Sequence, residues 1–189
     1  TYRIAKWNGT TWSALSGGMS GDVDALTSIG ADLYVGGRFA YAGNNVPNTR
    51  RIAKWDGSVW TALNNGIADN IVSTLTSIGT DLYVGGDFTS VVGVVNTSNI
   101  AKWDGTTWSA LSTGTSGGVY ALASIGTDLY VGGAFTSAGG VTVNHIALWG
   151  GEPVTITATD GSFTIQNGKA ISLMSVPTVG TVSYKWVQV

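Results

Sequence analysis

Ile52-Ala53-Lys54-Trp55-Asp56-Gly57-Ser58-Val59-Trp60-Thr61-Ala62-Leu63 opens a unit that resumes at Val72 and runs through Leu75-Thr76-Ser77-Ile78-Gly79 to Asp81-Leu82-Tyr83-Val84-Gly85-Gly86-Asp87-Phe88. Near-copies stand before and after it. The leading isoleucine recurs at Ile4, Ile52 and Ile100, 48 residues apart, and returns at Ile146 after 46. A repeat of roughly 40–50 residues built from short strands is the mark of propeller blades. The repeat therefore predicts an all-β chain of three four-stranded β-propeller repeats. It also limits the function strongly, because propellers are scaffolds for surface recognition more often than they are marked by one chemistry.

In the first copy, Ile4-Ala5-Lys6-Trp7 reads as a strand that Asn8-Gly9 turns into Thr11-Trp12-Ser13-Ala14-Leu15. Asn-Gly, and Asp-Gly at 56–57 and 104–105, supply the positive φ that tight hairpins need. Val23 to Ile29 alternates as a third strand, with Val23, Ala25 and Thr27 on one face and Leu26 on the other. Gly30-Ala31-Asp32 turns it into Leu33-Tyr34-Val35, ended by Gly36-Gly37. Length differences fall between these strands. Leu15 to Ser28, Leu63 to Ser77 and Leu111 to Ser124 span 13, 14 and 13 positions; Phe39 to Ile52, Phe88 to Ile100 and Phe135 to Ile146 span 13, 12 and 11. Insertions belong in surface connections, so the blades are placed at about 3–49, 51–98 and 99–145, with a fourth first strand at 146–149. One unit has too small a core to fold alone, so blades must stack on neighbours.

The motif Trp-Asp-Gly-x-x-Trp-x-x-Leu, followed by Leu-Tyr-Val-Gly-Gly-x-Phe and, in the third copy, Thr136-Ser137-Ala138-Gly139-Gly140, resembles blades of secreted bacterial and phage β-propellers related to the Kelch and galactose oxidase group. The likeness covers about residues 3–150. The Gly-Gly doublet is Kelch-like, whereas the Kelch Tyr and Trp spacing is not reproduced. The resemblance implies a propeller with a surface role. It carries over no activity, since no His/Tyr/Cys copper constellation matches.

Composition narrows the partners. The chain has 189 residues, a net charge of −2 and 9 scattered Lys and Arg, with no basic stripe to neutralise phosphates, so nucleic acid is not an expected partner. No apolar run approaches the ~20 residues of a membrane span, so no membrane insertion is expected. Cysteine is absent, which removes disulfides, thiol nucleophiles and thiolate metal sites. Few charges, 28 Gly and 8 Trp fit an extracellular, cell-surface or virion-surface protein. The chain begins with Thr1, so a signal peptide would already be gone.

Residues 152–189 leave the repeat and read as a β-rich docking segment, a four-strand meander. Val154 to Ala158 turns at Asp160-Gly161 into Ser162 to Ile165; Asn167-Gly168 leads to Ala170 to Met174, and Thr181 to Val189 closes. Phe163, Ile165, Leu173, Tyr184 and Trp186 exceed what so small a sheet covers by itself, which makes the segment an interface element. Its last residues, Tyr-Lys-Trp-Val-Gln-Val, resemble the ends of some phage fibre and decoration proteins.

Candidate chemistry is thin. Asp32, Asp81 and Asp128 recur in one place, but the alternating ligands of a calcium loop are missing, and an Asp in a tight turn bonds its own backbone. Lys6, Lys54 and Lys102 are read as covering aromatic faces. His145 falls where Arg3, Arg51 and Asn99 stand and is read as a surface residue. Asp22, Asp24, Asp69, Asp87, Glu152 and Asp160 show no paired-acid spacing, and no Gly-x-Ser-x-Gly elbow occurs. No catalytic residue, metal ligand or cofactor is therefore expected.

The expected function is structural or attachment work without catalysis, with other subunits or copies of the chain as partners. The alternative is a carbohydrate-binding lectin that uses Trp12, Trp60 or Trp108 at grooves between blades, with loop Asn or Asp residues; the opposing reading makes those indoles core. A secreted hydrolase or oxidase is a third reading. The loops at 16–22, 64–70, 112–118, 40–48, 89–95 and 137–143, where copies differ, are the better ligand sites. Known propellers hold about 4–8 blades. Three units are thus expected to need either further blades upstream, since Thr1 aligns with linker residues Thr49 and Thr97, or a second copy giving six, with a shared strand closing the ring.

Overall fold

The computed structural model describes residues 3–150 and the strands at 156–159, 162–165 and 186–187. Every element among them is a strand, as the all-β reading expects. The chain runs β1 (Ala5–Trp7), β2 (Trp12–Ala14), β3 (Val23–Ile29), β4 (Asp32–Gly37), β5 (Ile52–Trp55), β6 (Trp60–Thr61), β7 (Val72–Ile78), β8 (Asp81–Gly86), β9 (Ile100–Trp103) and β10 (Trp108–Ala110). It continues with β11 (Val119–Ile125), β12 (Asp128–Gly133), β13 (Ser137–Ala138), β14 (Val141–Thr142), β15 (Ile146–Trp149), β16 (Ile156–Thr159), β17 (Ser162–Ile165) and β18 (Trp186–Val187).

The strands fall where the repeat places them, but they group differently. Three antiparallel sheets have the orders β3-β4-β5-β6, β7-β8-β9-β10 and β11-β12-β15-β18. The first two join the second half of one sequence unit to the first half of the next, and the third joins β11 and β12 to β15 and to β18 of the C-terminal segment. The blade limits 3–49, 51–98 and 99–145 are therefore corrected by half a repeat. Strand β5 pairs with β4 through Leu33↔Trp55 and Gly36↔Ile52, across the 14 residues between them, whereas β1 and β2 form a separate two-stranded sheet. A period fixes spacing and leaves phase open; the hydrogen bonds choose the phase.

Local chemistry accounts for the hairpins. The β3–β4 turn is Gly30-Ala31 with Ile29 opposite Asp32 and Gly30 at φ +59°, the pattern of a two-residue turn opened by glycine. The other turn is looser than expected. Residues 8–11 bridge Trp7 and Trp12; only Gly9 has positive φ, and the Asn8 carboxamide oxygen accepts from the backbone N–H of Thr10 and Thr11 at 2.9 and 2.8 Å. Asp56 and Asp104 do the same in later copies.

The sheets stack with β7 packed between β3 and β11. Phe39, Phe88 and Phe135 are fully buried. The Gly-Gly doublets make the close approach possible. A Cβ on Gly36 would lie 2.4 Å from Val72 Cγ1, and one on Gly85 would lie 2.5 Å from Val119 Cγ1. Across the second joint the Leu122 N–H donates to Thr74 Oγ1 at 3.2 Å.

In the C-terminal segment β16 and β17 pair as expected. The last strand goes elsewhere: β18 pairs with β15, with Trp149 opposite Trp186 as Trp55 is opposite Trp60. It thus supplies the fourth strand of the third sheet. The proposed turns at 160–161 and 167–168 and the strand Ala170 to Met174 lie outside the described residues.

Candidate functional site

At one end of each sheet the two variable loops of a unit knit together. Met19 bridges Ala42, Ile67 bridges Val91 and Thr115 bridges Ala138, all buried. A hydroxyl or carboxylate holds each pair. Ser20 Oγ accepts from the N–H of Ala40 and Tyr41 at 3.0 and 2.8 Å, Asp69 Oδ1 from Thr89 N–H at 3.0 Å, and Ser116 Oγ from Thr136 and Ser137 at 3.0 Å each. Buried Thr49 accepts from Ala42 N–H at 2.9 Å and donates to Val46 O at 2.6 Å; Thr97 repeats this with Val91 and Val94. The loops are built structures, which their variability conceals.

Between the first and second loop pairs lies an open cleft of about 440 Å³. Ala40, Tyr41, Asn48 and Arg50 line one wall and Asn65, Ile67, Ala68 and Val92 the other. Tyr41 is 46% exposed, and it stands where the other copies have Ser90 and Ser137. Arg50 likewise replaces Ser98 and Asn144. Behind it, burial and then the Arg50 charge pull the Arg51 guanidinium below its ordinary pKa, partly offset by Asp69. Arg51 donates to the carbonyls of Arg38 and Phe39 at 2.8 and 3.3 Å. An aromatic face, two amides and a guanidinium make a hydrogen-bonding, weakly cationic surface, and the lining holds no carboxylate or imidazole. The loop readings pointed here, but Tyr41 and Arg50 were not singled out; their departure from the repeat was the available signal.

The three expected indoles separate. Trp60 and Trp108 are 4% and 7% exposed, and their Nε1–H groups donate to Leu15 O and Leu63 O at 3.1 and 3.0 Å. Neither has a free face to stack on a sugar, which corrects the candidate role of both. Trp12 is 70% exposed, 5.3 Å from Trp7 between ring centroids.

The recurrent aspartates are also corrected. Asp32 and Asp81 accept ion-paired hydrogen bonds from Lys54 and Lys102 at 3.0 and 2.8 Å, across β4–β5 and β8–β9, instead of bonding their own turns. Lys54 and Lys102 thus have aspartate partners that the aromatic-cover reading did not name. The aspartate hydrogen bond raises both lysine pKa values. Burial raises those of the neighbouring Tyr34 and Tyr83, against the pull of the lysines. Asp56 and Asp104 are the aspartates that bond their own turns, and the N–H groups of Val59 and Ser58 for Asp56, and of Thr107 and Thr106 for Asp104, lower their pKa values.

Arg3, Arg51, Asn99 and His145 share a left-handed backbone, φ 62–65°, just before the isoleucine strand. The exposed His145 thus marks a backbone position. The scattered acids have structural partners: Asp22 with Arg3 at 3.2 Å, Asp24 with Arg38 at 3.4 Å, and Asp87 with Asn70 at 3.3 Å. Among the described residues no three His, Cys, Asp or Glu side chains gather. Glu152 and Asp160 lie outside the described residues. No protein-family model matches the chain, and no curated protein matches its sequence.

Proposed function

We propose that this chain is a non-catalytic structural or attachment protein of an extracellular, cell or virion surface. In this reading its sheets are β-propeller blades of the Kelch and galactose oxidase type, and they assemble with other subunits. The observation that carries the reading is the repeated joint, in which Val72 and Val119 seat on Gly36 and Gly85 and the same aromatics recur in each sheet. Seven described acids add support, because Asp56 and Asp104 close turns, Asp69 holds a loop, and Asp22, Asp24, Asp32 and Asp81 pair with arginine or lysine. Electron-microscope class averages of the purified chain should show rings with radial blades, and antibody labelling of intact source material should decorate its surface. Extended stacks without rings would remove the propeller, and label confined to cell interiors would remove the surface role.

A second reading, binding of carbohydrate, is favoured by the Tyr41 cleft. An exposed phenol ring flanked by Asn48, Asn65 and Arg50 suits a polyhydroxylated ligand whose ring stacks while its hydroxyls bond. Binding on a glycan array should disappear in Tyr41→Ala and weaken in Arg50→Ala. A Tyr41→Ala variant that keeps full glycan binding would move the site elsewhere.

A further inference from the structure

We infer that the two ends of the sheet stack are halves of one interface, filled by a second copy of this chain through exchange of the β1–β2 hairpin. The inference deepens the assembly reading above, on which it rests for the identity of the partner.

Inside the chain both joints use the same parts. A glycine of β4 or β8 receives the first valine of the next sheet, Val72 or Val119. Ile29 and Ile78 pack into these joints from one side, with Leu75 and Leu122 in the same clusters from the other. At the ends each half stands alone. The nearest atom to a Cβ on Gly132 is Ala121 Cβ of its own sheet, 3.7 Å away, and Ile125 is 67% exposed. At the opposite end Leu26 is 53% exposed beside the half-buried Val23. One end has a seat without a valine, and the other has a valine without a seat.

A third vacancy coincides with these. Strands β5 and β9 lie between two neighbours, whereas β1, with the same Ile-Ala-Lys-Trp sequence, has β2 as its one neighbour among the described residues. Among the described residues its sheet has no inner strands of the β11–β12 type. Placing β11–β12 of a second copy there meets all three demands at once. Gly132 of the second copy receives Val23, Ile125 of the second copy covers Leu26, and its β12 pairs with β1, putting Lys6 opposite Tyr130 as Lys54 is opposite Tyr34.

In that sheet β1–β2 replaces the second copy's β15 and β18. Two features favour the exchange. Strands β1 and β2 are joined by four residues, while β15 and β18 are joined through residues 150–185, and a longer closure costs more chain entropy. Lys6 also gives β1 the Ile-Ala-Lys-Trp sequence of β5 and β9, where β15 reads Ile-Ala-Leu-Trp. Reciprocal exchange gives a closed two-fold pair of six four-stranded sheets, within the size of known rings.

A Val23→Cys/Gly132→Cys double variant tests this in the full chain, which has no other cysteine. At the internal counterpart a Cβ on Gly36 lies 3.2 Å from Val72 Cβ, close to the ~3.5–4.5 Å of disulfides. The middle sheet separates the two positions within one chain. Mild oxidation should therefore convert most of the protein to a covalent dimer on non-reducing gels; monomer alone, or a ladder of trimers and longer chains, would overturn the closed pair. Gly132→Val fills the seat while its Cβ meets its own sheet at no closer than the ordinary 3.7 Å contact with Ala121, and it should weaken dimerisation about 100-fold while leaving the melting temperature of the dilute chain unchanged. If that variant dimerises like the wild type by light scattering, this interface is refuted and the assembly reading survives. A wild type that is monomeric at every concentration likewise refutes the exchange and leaves assembly with other subunits standing.

Discussion

Leu26-Thr27-Ser28-Ile29 and Leu75-Thr76-Ser77-Ile78 are the same tetrapeptide on the inner strands of the first and middle sheets, yet Leu26 is 53% exposed and Leu75 is 8%. The third sheet reverses the asymmetry: its Leu122 is half-buried and its Ile125 67% exposed. In a stack, leucine looks back and isoleucine looks forward, so burial at each position is set by the neighbouring sheet. The middle sheet has a neighbour on both faces. Each terminal sheet displays a surface that the middle of the molecule already knows how to cover.

The largest expected contrast follows from these leucines. Leu75→Ala should cost about 2–5 kcal/mol in urea unfolding, as large core truncations do. Leu26→Ala should stay within about 0.5 kcal/mol in dilute solution, where copies are apart. A dilute Leu26→Ala chain that loses as much as Leu75→Ala would break the comparison, because something within the chain would then cover that face.

The tryptophans give a smaller contrast of the same kind. Trp108→Phe removes one of two donors to buried Leu63 O, which keeps the Gly66 N–H at 3.2 Å, and the lost hydrogen bond is expected to cost about 1 kcal/mol. Trp12→Phe should change little, because that indole is already in water. Equal losses would show that the first hairpin is as enclosed as the sheets.

Much of the fold was legible because its signals are local. Val23–Ile29 alternates, Gly30 opens a turn, and constant spacing against variable loops marked the strands. The grouping into sheets was not legible: the 4–5 and 8–9 strand pairs bridge residues far apart in the chain, and a repeat can be cut at any phase. The lysine–aspartate pairs were hidden for the same reason, since Asp32 and Lys54 are 22 positions apart and meet only across β4–β5. Exposure of Trp12 against burial of Trp60 was invisible too, because identical motifs differ only in their neighbours. Tyr41 and Arg50 were visible as departures from the repeat, at places where neighbouring copies carry serine or asparagine.

Alkaline pH separates the first two sheets from the third. The folded state raises the pKa of Lys54 and Lys102, so their stabilisation is complete below the unfolded value of about 10.4 and is lost as pH rises through the folded one. The raised Tyr34 and Tyr83 act in the same direction, above about 10. Denaturant midpoints should fall as pH rises above about 10, less steeply in Lys102→Met. The third sheet carries Leu148 at the matching place. A flat profile in the wild type would contradict the ion pairs.

The smallest effect concerns the shared left-handed residue. His145→Gly should stabilise by about 0.5 kcal/mol, relief of the left-handed backbone outweighing the added freedom of the unfolded chain. Arg51→Gly gains the same relief but loses its bonds to Arg38 O and Phe39 O, so it should destabilise. Two gains of equal size would show that the guanidinium contributes nothing.

The complementarity of the two ends is tested most directly by the native mass of the unmodified chain in light scattering over a dilution series. At high concentration the mass should be twice the 19.4 kDa of one chain, falling to the single-chain value on dilution. A chain that stays folded at 19.4 kDa across the whole series would contradict it.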